Sequence, residues 1–293
     1  MTPVSLEEFA AHYAEALHVV RDAFSEEMQT EMARHNVGWT PGRTDFMVYL
    51  EHSVDRYYRA YRVIAANPNA KSVVDVGGFW GLFPMVLVKC GYEVTMTEKL
   101  DYYGRAFDAL FASIRAHGVT ILDYDPFDDE PDPAWRFDFV SMMAILEHYP
   151  HSLRRFMAHI KTMAAPGGRV FIEVPNIAYY HKRMALLKGK TPLTPIRDIY
   201  LSASPFIGHH HEFTRAELRD LAELAGLRIV AEDSYNYSMP AGFSFAFWRE
   251  RKLGYLLEKL FYFLWEDSKE TLTMTCRADE GARIDASNVR TFG

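Results

Sequence analysis

The chain of 293 residues has only two cysteines, Cys90 and Cys276. Two thiols exclude a disulfide framework and make a reducing, cytoplasmic setting the expectation. Neither lies in a Cys-x-x-Cys pair, which excludes a zinc ribbon or finger. Basic residues are in the minority: 32 Lys and Arg stand against 39 Asp and Glu, a net charge of −7. Phosphate neutralisation needs a basic face, so no nucleic-acid partner is expected. No uncharged apolar run approaches the roughly 20 residues that span a bilayer, so no membrane insertion is expected. The first turn carries Glu7 and Glu8 without a basic region, unlike a secretory signal. The sequence also lacks internal repeats, low-complexity segments and the G-x-G-x-x-G fingerprint of NAD sites.

Hydrophobic residues make up 49% of the chain, enough for a large core. The opening stretch reads as helices. Ser5 and Glu8 match a capping box. After a break over 36–43, Phe46, Leu50, Val54, Tyr57, Tyr58, Tyr61 and Ile64 recur at helical spacing. Residues 1–68 are expected to form a helical lid, with Met28, Met32 and Met47 as core or lid packing. Asn67-Pro68-Asn69 ends it, and residues 69–293 are expected to form the second, larger domain. There, apolar strands at 73–76, 92–97, 119–122, 137–143, 170–174 and 227–231 alternate with amphipathic helices. This pattern predicts an α/β, doubly wound, parallel sheet covered on both faces. Thr271 to Arg277 alternates strictly and predicts an antiparallel strand at a sheet edge. Residues 240–268 form a helical insertion before it. The helix from Trp248 to Trp265 is apolar on more than one face. It is buried, pairs with another subunit or lies on a membrane surface; mixed charges disfavour the last. A homodimer contact through this helix or the N-terminal helices is a reasonable expectation.

Between the first strand and its helix runs Asp75-Val76-Gly77-Gly78-Phe79-Trp80-Gly81. Glycines let backbone approach a ligand, and a helix start offers free amides. An acid two residues before the first glycine would repel a phosphate but suits an ammonium group. Glu98 ends the next strand 23 residues on, near the spacing at which an acid reaches a ribose diol.

The blocks VVDVGGFWG, EVTMTEK, ILDYDPF, FDFVSMMAILEH, PGGRVFIEVPN and FTRAELRDLAELAGLRIV occur in this order. Together they resemble a class I S-adenosylmethionine-dependent methyltransferase. The flavour is that of the ubiquinone-biosynthesis O-methyltransferases and of many natural-product and sugar methyltransferases. The likeness covers Lys71 to Glu232, with Thr271 to Arg277 as last strand. Phe79 stands where the commonest D-x-G-x-G-x-G pattern has its second glycine; the looser D-x-G-x-x-x-G form is kept by Asp75, Gly77 and Gly81. The resemblance implies a Rossmann-like, mostly parallel seven-stranded sheet with an antiparallel last strand. It implies S-adenosyl-L-methionine as cofactor and S-adenosyl-L-homocysteine as product. Asp75 would hold the methionine ammonium, while Gly77, Gly78 and Gly81 admit the cofactor to the backbone. Glu98 would accept from the ribose hydroxyls. Asp125, with Asp123 as runner-up, would meet the adenine amino group, with Phe127 or Tyr124 near the ring. Met142 and Met143, expected just past the fourth strand, would line the wall beside the sulfonium.

Methyl transfer is an in-line displacement, and a hydroxyl nucleophile benefits from a base. His148 is the expected base, with Glu147 orienting it or the acceptor; alternatively the pair fixes its loop. His151 is expected to cap the next helix. In Gly208-His209-His210-His211-Glu212-Phe213 the three histidines cannot all face one point, and His210 is the choice for the acceptor pocket. A metal site from His148, His151 and one of these has no established spacing, so no metal is expected. Magnesium bridging acceptor hydroxyls is a weaker option without a motif. Residues 176–213, with Tyr179, Tyr180, His181 and Tyr200, either recognise the acceptor or pack onto the sheet. The expected activity is O-methylation of a small-molecule acceptor, a sugar, glycan or natural-product hydroxyl. The alternatives are N-methylation of a small amine, a non-catalytic cofactor-binding scaffold, or a tRNA or protein methyltransferase.

Overall fold

The computed structural model describes residues 2–236 and 245–278, with side chains of the helix at 245–264 described from Gly254 on. The chain opens with α1 (Leu6–Ala23), α2 (Glu26–His35), α3 (Phe46–Glu51) and α4 (Val54–Ala65). The Ser5–Glu8 capping box forms at the start of α1. The single helix expected from Phe46 to Ile64 is two, because His52 and Ser53 break it, with the Ser53 hydroxyl turned back onto the Tyr49 carbonyl. There follow β1 (Ser72–Val76), α5 (Leu82–Lys89), β2 (Glu93–Glu98), α6 (Asp108–Ala116), β3 (Thr120–Asp123), β4 (Phe137–Met143), α7 (Leu153–Met163) and β5 (Ala164–Pro175). Next come α8 (Tyr180–Leu187), α9 (Ile196–Leu201), α10 (Arg215–Leu224), β6 (Arg228–Tyr235), α11 (Phe245–Leu264) and β7 (Thr271–Arg277).

The seven strands lie in the order β3-β2-β1-β4-β5-β7-β6. The first five are parallel, and β7 runs antiparallel to both β5 and β6. Strand alternation sends residues to two cores. Val73, Phe139 and Phe171 join the N-terminal helices, α5 and α6 on one face. Val74, Val140 and Ile172 join α7 and α10 on the other. Met28 and Met32 are buried in the first core and Met47 packs against it, as expected.

Two expectations about strands need correction. β7 is antiparallel but interior; the edge is β6. Thr273 and Thr275 are buried rather than solvated, so the alternation records two different coverings of one strand. Pro166-Gly167-Gly168 lies inside β5, where the pairing with β4 shifts register between Phe137 and Phe139. His151 does not cap α7; Ser152 does, accepting from the Arg154 amide. The outward side of α11 leaves Leu256, Leu257, Leu260 and Phe263 exposed, while Tyr255 and Tyr262 turn inward. Among the described residues no helix is long and apolar enough to cross a membrane.

Candidate active site

Parallel strands deliver their carboxyl ends to one edge, where α/β sheets bind ligands. Asp75 in β1, Glu98 at the end of β2 and Asp125 two residues past β3 meet there, all buried. The turn after β1 is tightly built. Gly77 has φ +66°, a conformation strained for any side chain, and a Cβ on it would also displace the Ile145 side-chain tip, 2.3 Å away. Phe79 also adopts a left-handed conformation, φ 40°. The loop thus keeps the bend of the glycine-rich pattern with a bulky residue, at the cost of local strain. That bend aims the Phe79 amide at Glu98 Oε1.

The three carboxyls share an electrostatic condition. Burial pushes Asp75 up to about 7, opposed by the Ser141 hydroxyl, which donates to Oδ1 at 2.6 Å, and by Arg56. Burial likewise pushes Glu98 up to about 7, although Tyr103 donates to Oε2 at 2.8 Å. Asp125 is raised by burial too; it accepts from the Phe127 amide at 2.9 Å and from Tyr102 at 3.2 Å. Buried carboxyls in this state gain most from a cationic ligand. A sulfonium donor that also carries an ammonium fits them, with lone pairs of Glu98 left for ribose hydroxyls.

The aromatic residues expected near adenine are otherwise engaged. Tyr124 packs edge-on against Trp135 within the second core, and Phe127 stacks on Tyr149 and Phe156. The rings that do hold the carboxyls, Tyr102 and Tyr103, escaped the sequence reading because they follow β2 in irregular turns. Asp123 serves the Leu100 amide at 3.1 Å, a turn role that Asp commonly fills. Met142 and Met143 are the last residues of β4 rather than beyond it. Met142 is fully buried in the second core, whereas Met143 shares the face of Ser141.

Past β4 the chain turns through Ala144, φ 58°, into Glu147 and His148. Glu147 is 1% exposed and neither carboxylate oxygen has a hydrogen-bond partner. Burial pushes it up to about 7, against the opposing effect of His209. His148 Nδ1 lies 2.8 Å from the Ile207 carbonyl, so this nitrogen carries the proton and Nε2 keeps its lone pair. Burial, with His209 and His210, pushes His148 down to about 4. The amides of His210 and His211 both donate to the Glu147 carbonyl, pinning the histidine loop on this turn.

That pinning decides which histidine faces inward. His209, not His210, approaches: its ring meets His148 edge-on at 4.8 Å, and its Nε2 is 4.0 Å from Glu147 Oε1. His210 is exposed and its Nε2 bonds the Phe206 carbonyl at 3.0 Å. His151 is exposed against Tyr149, and His211 pairs with Glu217. His209 and His210 also border a cavity of about 390 Å³ lined by Leu193, Ile196, Ile199 and Phe206. Tyr179, Tyr180 and His181 pack against α11, through Tyr262, Phe261 and Glu258 respectively, and Tyr200 is exposed. A buried pair escaped notice as well: Arg56 Nε donates to Glu173 Oε1, and Tyr235 donates to Oε2 at 2.7 Å. A lone acid within the apolar run 170–174 was the available signal.

Comparison with known proteins agrees with this fold. No curated protein matches the chain. A solved 1,6-didemethyltoxoflavin-N1-methyltransferase from Burkholderia thailandensis, with its substrate and S-adenosylhomocysteine bound, is 16% identical with a TM-score of 0.50, covering 94% of this chain and 92% of its own. An S-adenosylmethionine-dependent methyltransferase from Mesorhizobium loti is 15% identical with a TM-score of 0.50, covering 77% of this chain and 97% of its own. At such identity the likeness is one of fold. The family model described as "Methyltransferase domain" matches residues 49–232, which takes in β1 through most of β6, with Asp75, Glu98, Asp125 and Glu147. The chain therefore belongs to the methyltransferase domain family and is a class I methyltransferase that uses S-adenosylmethionine.

Proposed function

We propose that the enzyme methylates a hydroxyl on a small, largely apolar acceptor, with Glu147 receiving the proton. The observation that carries this reading is a buried carboxylate without a hydrogen-bond partner in the turn after β4, beside a histidine kept neutral. When bound, the cofactor supplies an electrophilic methyl on a positively charged sulfur. Asp75 binds its ammonium, Glu98 its ribose and Asp125 its adenine edge. A base works best when its pKa lies near the working pH. Glu147 at about 7 meets that condition and His148 at about 4 does not, so the base expected from the sequence moves by one residue. The neutral His148 orients the acceptor through Nε2. Leu193, Ile196, Ile199 and Phe206 favour an apolar natural-product skeleton over a sugar.

The test is methyl transfer from labelled cofactor to a panel of hydroxylated aromatic compounds and their amine counterparts. For Glu147→Gln, kcat on the hydroxyl compounds should fall about 10²–10⁴-fold. Calorimetric affinity for S-adenosylhomocysteine should stay at the wild-type value. The wild-type kcat should rise with pH through about 7 and then level, because only ionised Glu147 accepts the proton. A flat profile, with turnover confined to the amines and Glu147→Gln as fast as wild type, would show an N-methyltransferase instead.

A further inference from the structure

We propose that Glu147, His148 and His209 form a binding site for one first-row divalent cation of the zinc or cobalt type. The inference builds on the reading of this turn as the acceptor end of the site. Donor atoms of the three side chains all lie within 4.8 Å of one another. A tetrahedral ion with bonds of about 2.1 Å holds its ligands roughly 3.4 Å apart, so small side-chain rotations close the set.

Three features distinguish this trio from a chance cluster. The first is the Glu147 carboxylate, buried to 1% exposure with both oxygens lacking a hydrogen-bond partner. A buried charge in that condition is costly unless it is paired or coordinates a metal. The second is the orientation of both rings. His148 Nδ1 is tied to the Ile207 carbonyl at 2.8 Å, and His209 Nδ1 to Glu212 Oε1 at 2.9 Å. Each leaves Nε2 as the free nitrogen, and Glu212 is itself held by Lys182. A ligating imidazole is usually fixed in this way by a carbonyl or carboxylate on its other nitrogen. The third is the backbone clamp: the His210 amide donates to the Glu147 carbonyl at 2.7 Å, which locks the loop bearing His209 onto the turn bearing the other two.

Two histidines and one carboxylate are a donor set suited to zinc, cobalt or iron and leave a position open. His209 also borders the 390 Å³ cavity, which places one of the three ligands at the edge of that space. In the ion-free protein the acceptor proton goes to Glu147. With the ion in place, the three donors are committed to it. The acceptor hydroxyl then occupies the open position, is made more acidic by the ion and releases its proton to solvent.

The test uses full-length protein stripped with a chelator and saturated with S-adenosylhomocysteine. Zn²⁺ is titrated calorimetrically and Co²⁺ by its visible absorption. One ion per chain is expected, with d–d bands of a low-coordinate site. Affinity should drop at least about 100-fold in Glu147→Gln and in His209→Ala, a loss larger than outer partners usually produce. His151→Ala and His210→Ala should bind as wild type does. S-adenosylhomocysteine affinity and the melting temperature show that each variant is folded. No saturable ion binding by the wild type, or binding that survives Glu147→Gln, overturns the site. The hydroxyl-transfer reading is tested separately: it fails if the ion-free protein, assayed in chelator, transfers no methyl to the hydroxyl compounds of the acceptor panel.

Discussion

At the scale of single residues, this enzyme holds carboxyls where water would not keep them neutral. Asp75 shows the consequence most directly. Its folded pKa of about 7 lies above the ordinary value of 3.8. Between about pH 4 and 7 the unfolded chain gives up this proton while the folded chain keeps it. Stability of the ligand-free protein therefore declines as pH rises through that window, and the full penalty stands above 7. Asp75→Asn removes the penalty. Its melting temperature should exceed that of wild type at pH 8 and match it near pH 4, while affinity for the cofactor is lost. Equal melting of the two proteins at pH 8 would contradict the account. The cationic cofactor should also displace protons at pH 7, read as a dependence of binding heat on the ionisation enthalpy of the buffer.

At the scale of elements, α4 is joined to β5 and β6 through a buried ion pair. Arg56 and Glu173 are 5% and 2% exposed, and Tyr49 and Tyr235 complete their hydrogen bonds. Removing one partner of such a pair leaves the other charge buried. Arg56→Met should cost about 3–5 kcal/mol, seen as a lower urea midpoint. Replacing both, with Glu173→Leu added, should recover most of the loss, because the paired apolar side chains need no counter-charge. A double variant no more stable than the single would assign the loss to packing of the arginine stem instead.

At the scale of the whole molecule, the N-terminal helices and the segment before α10 are tied together across the site. Arg43 makes two hydrogen bonds to Asp198, at 3.1 and 2.8 Å. The Ala203 and Ile207 amides donate to the carbonyls of Arg34 and His35. Ile207 is the residue whose carbonyl fixes His148, so the N-terminal helices and the turn bearing His148 share one connection. Arg43→Ala should raise the rate of limited proteolysis within residues 188–206 and raise KM for the acceptor, with cofactor affinity unchanged. Unaltered proteolysis would mean that the backbone bonds alone hold the segment.

Much of the fold was legible in sequence because its signals are local. Alternation of apolar strands with amphipathic helices, the turn at Asp75 to Gly81 and the Ser5–Glu8 capping box depend on residues a few positions apart. The acid at the end of β2 was placed by spacing from the first strand. By itself the sequence determined the fold class and singled out the strand-end carboxyls Asp75, Glu98 and Asp125, since both are encoded in periodicity and short motifs. Tertiary structure alone decided that β7 lies inside the sheet, that Tyr124 serves the core, and that His209 rather than His210 meets Glu147. Those outcomes depend on contacts between segments far apart in the chain. Two backbone hydrogen bonds from the histidine loop to the Glu147 carbonyl set which ring turns inward, and no local pattern records them.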